Sequence, residues 1–246
     1  MGLLFEFPWL HLNFLNDSIG KIFIFNQKMD LSYNNLWKSE AYLWRREVSE
    51  KYNYNWIKYF GLKFFENVSL KEFSEQNLEV KYSGSFQVVW LRNIDRLMDM
   101  MPVEINIRNY NLIDVGCGSG ISTLYFLEYY PFKSFHGFDF SEDLITKAEI
   151  NLKLYLLKSK SKKFIDFKVN NAKNIILEDQ KNLLFMFHPF EFPIAREFIL
   201  NNLHNLKKNN SIIAFSNDFY IKKIIDLNKH RKLIRDPFNN LSLILF

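Results

Sequence analysis

From about Tyr110 onward, short apolar runs alternate with longer stretches of helical periodicity. Leu112 to Val115, Ser134 to Phe138, Phe164 to Val169, Leu183 to Phe187, Ile212 to Phe215 and Leu241 to Phe246 read as strands. Ile121 to Tyr130, Asp143 to Leu157, Pro193 to Leu206 and Phe219 to Leu227 read as helices, with a short helix or loop between Asn170 and Asn182. This alternation predicts an α/β fold: a doubly wound, mostly parallel, Rossmann-like sheet covered on both faces. Right-handed crossovers and a chain reversal after the first three strands place the carboxyl ends of the first and fourth strands beside one crevice. Ligands bind at such a crevice.

Upstream the pattern changes. Leu36, Trp37, Tyr42, Leu43, Trp44, Val48, Trp56, Ile57 and Phe60 recur loosely at helical spacing, with little glycine among them. They predict a helical, aromatic-rich N-terminal extension over residues 1–77, ahead of a ligand-binding domain over 78–246. The aromatic stripe is expected to pack on that domain, a cap over an acceptor pocket being the alternative. After Tyr82-Ser83-Gly84-Ser85, the positions Val88, Val89, Leu91, Ile94, Leu97, Met98 and Met101 predict an amphipathic helix that Pro102 stops. Leu3 to Phe25 is apolar but interrupted by Glu6, His11, Asn13, Asn16 and Asp17, and shows neither a basic leader nor a small-residue cleavage site. It is read first as a packing strand or hairpin; an interfacial segment, or translated upstream sequence before a start at Met29, stay open. No apolar run reaches the length of a membrane span, and no repeat of fixed period is present.

The chain has 246 residues, 48% of them hydrophobic, enough for one substantial core. Its one cysteine, Cys117, excludes an intrachain disulfide and suits a reducing compartment, so a cytoplasmic location is expected. No histidines pair at ligand spacing, and no metal site is expected. The net charge of +5 is uneven: up to Met101 there are 12 Lys+Arg and 12 Asp+Glu, so the excess lies downstream. Lys158, Lys160, Lys162 and Lys163 cluster in one predicted linker, and Lys229, Arg231, Lys232 and Arg235 in another. Solvated connections are the first reading of both clusters; phosphate-binding patches are the other.

The chemistry is carried by Leu112-Ile113-Asp114-Val115-Gly116-Cys117-Gly118-Ser119-Gly120, a strand running through a glycine-spaced turn into a helix. Glycine permits positive φ there and removes the Cβ that would hold a ligand off the backbone. A dinucleotide fingerprint would place its third glycine at Ile121, whereas here it falls on Gly120. Downstream, Asp139 closes the second predicted strand at the spacing expected of a carboxylate that accepts from ribose hydroxyls. Ser141-Glu142-Asp143 follows as a helix start.

This combination resembles the first motifs of class I S-adenosylmethionine-dependent methyltransferases. Tyr82-Ser83-Gly84, Leu112 to Gly120, Pro131-Phe132-Lys133, Gly137 to Ser141, Asn151 and Phe187-His188-Pro189-Phe190 follow in an order similar to a bacterial family with a Dot1-like core. The resemblance covers Tyr82 to Phe246. It implies S-adenosyl-L-methionine as cofactor, with Asp114, Gly116, Gly118 and Gly120 lining its methionine and sulfonium end. Cys117 sits in the same turn as a small residue rather than a nucleophile. Asp139, followed by Phe140, would hold the ribose. Asn171 stands where relatives carry an adenine-binding Asp, a turn residue being the other reading, and Ala172 leaves room for the base. Relatives commonly carry Asn-Pro-Phe after the fourth strand; here the first position is His188, the candidate catalytic residue, as base or as positioner of the acceptor. Phe190 would pack in the core or against the sulfonium.

The implied activity is methyl transfer to a nitrogen or oxygen of a small molecule, glycan or protein. A binding module without catalysis and a nucleic-acid methyltransferase are the alternatives.

Overall fold

The computed structural model describes residues 40–63, 88–187, 189–219, 221–225 and 232–246. The readings of Leu3 to Phe25, of a start at Met29 and of the Tyr82 to Ser85 turn lie outside these residues.

Helix α1, Glu40–Phe60, ends at Gly61, whose φ of 70° lets Leu62 N–H reach back to the Ile57 carbonyl at 2.9 Å. Helix α2, Leu91–Asp99, has no side-chain cap of its own. Asn53 of α1 supplies one, accepting from Leu91 N–H at 2.9 Å and donating to the Val89 carbonyl at 2.8 Å. The predicted helix therefore begins three residues late, because Val88 and Val89 are used as an extended lead-in.

The sheet follows. Strands β1 (Asn111–Val115), β2 (Phe135–Asp139), β3 (Ile165–Val169), β4 (Asn182–Phe187) and β5 (Ile212–Ser216) are parallel, in the order β3-β2-β1-β4-β5. Helices α3 (Ile121–Tyr129), α4 (Glu142–Leu156) and α5 (Phe192–Lys208) lie between them and α6 (Ile221–Ile225) follows β5, each within two residues of the predicted bounds. Strands β6 (Lys232–Asp236) and β7 (Leu241–Leu245) complete a seven-stranded sheet, with β7 antiparallel between β5 and β6. This is the Rossmann-like, mostly parallel architecture that the alternation predicts.

Strand β6 is a correction. Lys232 and Arg235 belong to a strand rather than to a linker, and Arg235 forks onto the buried Asp218 carboxylate at 2.6 and 3.0 Å. The signal available was turn chemistry: Pro237 and Asn239-Asn240 between two apolar segments, with Asn240 at φ 53°.

One face of the sheet, through Leu112, Phe135, Leu183, Phe185, Ile212 and Ala214, packs on α1, α2 and α3. Trp56, Ile57 and Phe60 of α1 are buried in that core, the packing use expected of the aromatic stripe. The same helices are pinned by hydroxyls: Tyr52 meets Tyr125 at 2.8 Å, and Tyr125 and Tyr130 donate to Asp95 at 2.8 and 2.7 Å. The other face, through Ile113, Val115, Leu184, Met186 and Ile213, packs on α5 and α6. Burying these two faces supplies most of the driving force, at about 25 cal/mol per Å² of apolar surface. Only a single 3₁₀ turn, Ala172–Asn174, links β3 to β4, and on that side of the sheet His136 of β2 and Asp166 of β3 are only half-buried.

Candidate active site

The carboxyl ends of β1 and β2 converge on the glycine turn. Gly116, Gly118 and Gly120 take φ of 78°, 54° and 78°, the left-handed region that other residues enter at a cost. Gly116 is exposed while its neighbours in the turn are buried, so its backbone is what the loop presents. The absent Cβ atoms also make room for protein: one on Gly116 would stand 2.3 Å from Pro189 Cβ, and one on Gly120 would stand 2.7 Å from the Phe167 ring. These glycines thus bring the exit of β4, and the ring of β3, directly onto the loop.

Asp139 is 7% exposed and is held by backbone N–H groups: Oδ2 accepts from Gly118 at 3.0 Å and Oδ1 from Ser141 at 3.0 Å, with Phe140 a third backbone donor. Burial pushes its carboxyl up, against the backbone hydrogen bonds that pull it down. Asp114 turns inward instead. Its Oδ2 accepts from the hydroxyls of Ser122 and Thr123, both at 2.6 Å, which ties β1 to the first turn of α3. Burial pushes its carboxyl up to about 6, with the two hydroxyls working against the shift and the nearby Asp139 adding to it. Burial, together with the same two carboxylates, pushes the Cys117 thiol up and keeps it a neutral turn residue.

Past β3, Asn170 N–H bonds to the Asp139 carbonyl at 2.8 Å, which brings the Asn170-Asn171 turn to the end of β2. Asn171 Oδ1 caps the following turn by accepting from Lys173 N–H at 3.1 Å, and Ala172 is half-buried beside it. Phe140 is 40% exposed, and Phe190 is buried in the α5 face of the core. His188 lies outside the described residues; its neighbours Phe187 and Pro189 carry the chain past Gly116. Among the described residues no cluster of His, Cys, Asp or Glu could hold a metal ion.

Asn151 of α4 has a role that sequence reading did not assign. Fully buried, it donates to the Ser119 carbonyl of the glycine turn at 3.1 Å and accepts from Lys63 N–H at 2.9 Å. It thereby joins the end of α1 to the loop. The available signal was a polar residue on the stripe Leu144, Ile145, Ala148 and Tyr155, where an apolar one belongs.

The residues fit S-adenosylmethionine. A carboxylate offers about four lone pairs to donors, so Asp139 keeps one for a ribose hydroxyl after its three backbone donors are counted. The exposed Gly116 backbone faces the same crevice mouth, where the strand order reverses between β1 and β4.

No curated protein matches the chain. Among solved structures, a ribosomal protein L11 methylase from Lactobacillus delbrueckii subsp. bulgaricus shares 17% identity over 63% of this chain and 76% of its own, with a TM-score of 0.40. Magnesium protoporphyrin IX methyltransferase from Synechocystis PCC 6803 shares 15% over 66% and 88%, with a TM-score of 0.40. An RNA methyltransferase from Salinibacter ruber shares 11% over 63% and 89%, with a TM-score of 0.41. The family model described as a methyltransferase domain matches residues 107–234, more than half of the chain, from the turn before β1 into β6. The chain belongs to that family and is a class I S-adenosylmethionine-dependent methyltransferase.

Proposed function

We propose that the chain methylates a nitrogen or oxygen of an acceptor that enters at the carboxyl ends of β4 and β5, beside Pro189. The contact of Gly116 with Pro189 carries this reading, because it sets the residue that follows His188 in the sequence against the cofactor loop. A crevice lined by Pro189, Phe190, Phe215, Asp218 and Ile221 lies on that side.

When bound, S-adenosylmethionine supplies an electrophilic methyl on a sulfonium. The chain's task is then alignment and water exclusion rather than bond activation. Asp139 holds the ribose, the turn of Gly116, Gly118 and Gly120 holds the methionine end, and Asn171 with Ala172 receives the base. Asp114 keeps α3 seated under the turn, and Cys117 fills it. His188, the residue ahead of Pro189, would take the acceptor's proton at a ring nitrogen or hold the acceptor in line with the methyl that the cofactor would supply. A small molecule, glycan or protein acceptor suits a site of this kind, and the lone buried cysteine suits the cytoplasm.

The experiment pairs calorimetric titration with S-adenosylmethionine and transfer of a labelled methyl to an acceptor panel. Asp139→Ala is expected to weaken cofactor binding at least about tenfold, by loss of a charge-assisted hydrogen bond. His188→Ala is expected to leave cofactor affinity within about twofold while turnover falls at least about 100-fold. Retained turnover in His188→Ala would overturn its role, and normal affinity in Asp139→Ala would overturn the cofactor placement.

A further inference from the structure

Six strands run in one sense, and an exposed cation stands at or just before the start of each: Arg108 for β1, Lys133 for β2, Lys163 for β3, Lys181 for β4, Lys208 for β5 and Lys232 for β6. Register places these starts side by side, since Phe135 pairs with both Leu112 and Ile165, and Asn111 with Asn182. Neighbouring strands lie about 4.8 Å apart, so the cations form a row along one edge of the sheet.

The row is held in place largely without being neutralised. Lys163 Nζ donates to the Tyr130 carbonyl at 3.1 Å and stands 5.3 Å over the Phe135 ring. Lys181 stands 5.8 Å over the Tyr110 ring, and Lys133 reaches Gln180 Oε1 at 3.4 Å. Among the described residues, Lys208 pairs with Asp179, whereas Arg108, Lys133, Lys163 and Lys181 have no ion-pair partner. Burial and the charge of Arg108 lower the Lys163 ammonium, as like charges crowded together should. Lys158, Lys160 and Lys162 extend the charge along the preceding loop. Phe164 follows Lys163, 61% exposed, its ring 5.7 Å from that of His136.

We propose that this edge docks the sugar–phosphate backbone of single-stranded nucleic acid, with Phe164 as a stacking platform for a base. Spaced cations without a pocket suit a polyanion better than a single phosphate, and one aromatic among lysines is the arrangement of a stacking groove rather than of an apolar membrane wedge. The surface is separate from the site of methyl transfer, which lies at the other ends of the same strands, about 16 Å away for five residues at about 3.3 Å each. It anchors the partner and does not itself present the acceptor atom.

The test measures anisotropy of a labelled single-stranded RNA of mixed sequence between about 50 and 200 mM salt. The DNA of the same sequence and phosphatidylserine vesicles serve as competitors. Lys133→Glu with Lys181→Glu is expected to weaken RNA binding at least about tenfold and to flatten the salt slope by about 1.4, or about 0.7 per lost phosphate contact. Cofactor affinity should not move, which shows that the variant is folded. Lys222→Glu with Lys223→Glu makes the same charge change on α6, at the opposite edge, and is expected to leave RNA binding within about twofold. Competition by DNA as strong as by RNA supports the backbone as ligand, and stronger competition by RNA supports it with a sugar preference. Equal losses in both double variants would reduce the effect to net charge and overturn the proposal. So would absence of RNA binding at about 50 mM salt, or displacement by vesicles but not by DNA.

Discussion

At the carboxyl ends of β1 and β2, the carboxylates of Asp114 and Asp139 are buried, and the described donors to them come from the glycine turn, Phe140, Ser141 and the first turn of α3. At the amino ends of the same two strands the polar groups bond to one another across the sheet, and apart from the buried Asn111 they are half-exposed. Ser134 Oγ meets Asn111 Oδ1 and His136 Nε2, each at 2.8 Å, and His136 Nδ1 meets Asp166 at 2.5 Å. Positive φ is confined to the carboxyl side of this pair: Gly116, Gly118 and Gly120 take it, and no residue from Asn111 to Val115 or from Phe135 to Asp139 does. The difference teaches where precision is required. A site for a small cofactor needs fixed donors in low dielectric, whereas a surface for a flexible polyanion needs only spaced charge.

The sharpest way to break the comparison is Gly116→Ala. The new Cβ would meet Pro189 at 2.3 Å, and φ of 78° disfavours any side chain. Left-handed strain and overpacking together are expected to cost roughly 2–5 kcal/mol and to lower cofactor affinity by at least about tenfold. Urea denaturation and calorimetry would check the two effects separately; wild-type values for both would remove the loop from the site.

A smaller effect distinguishes the buried carboxylates by pH. The folded pKa of Asp114, about 6, lies above its unfolded value of 3.8, so the folded chain holds the proton more tightly. This group therefore adds stability as pH falls from about 6 to about 4, and the gain disappears as pH rises back through that window. Its full contribution is roughly 3 kcal/mol, since each tenfold gain in proton affinity on folding is worth about 1.4 kcal/mol. Asp95, also raised to about 6, mainly by burial, contributes the same sign. Asp114→Asn should flatten part of the pH dependence of the urea midpoint; an unchanged curve would mean that the carboxyl is ordinary.

The smallest effect is expected at the other end. His136 is 24% exposed, and in its absence Asp166 keeps the Lys168 ammonium at 2.7 Å. His136→Ala should cost about 1 kcal/mol or less and leave cofactor affinity unchanged. A large loss of cofactor binding in this variant would show that the two ends are coupled through the sheet.

The order of strands and helices, the glycine turn and the strand-terminal Asp139 were legible because each is a local signal: a period, a φ requirement, a spacing along the chain. Strand β6 was not legible from its own residues, since its cations mask a pairing that forms only when β7 is beside it and Asp218 is buried opposite Arg235. Asn151 illustrates the same limit at the site. Its sequence shows a polar residue on an apolar stripe, but only packing brings Ser119 and Lys63, far apart along the chain, to the two ends of one amide. Sequence by itself determined the fold class and the chemistry of the loop, because hydrophobic periodicity and glycine spacing act within a few residues. Tertiary structure alone decided which side chains close on that loop and which cations align along the far edge, because both depend on strand order and register, which no local stretch encodes.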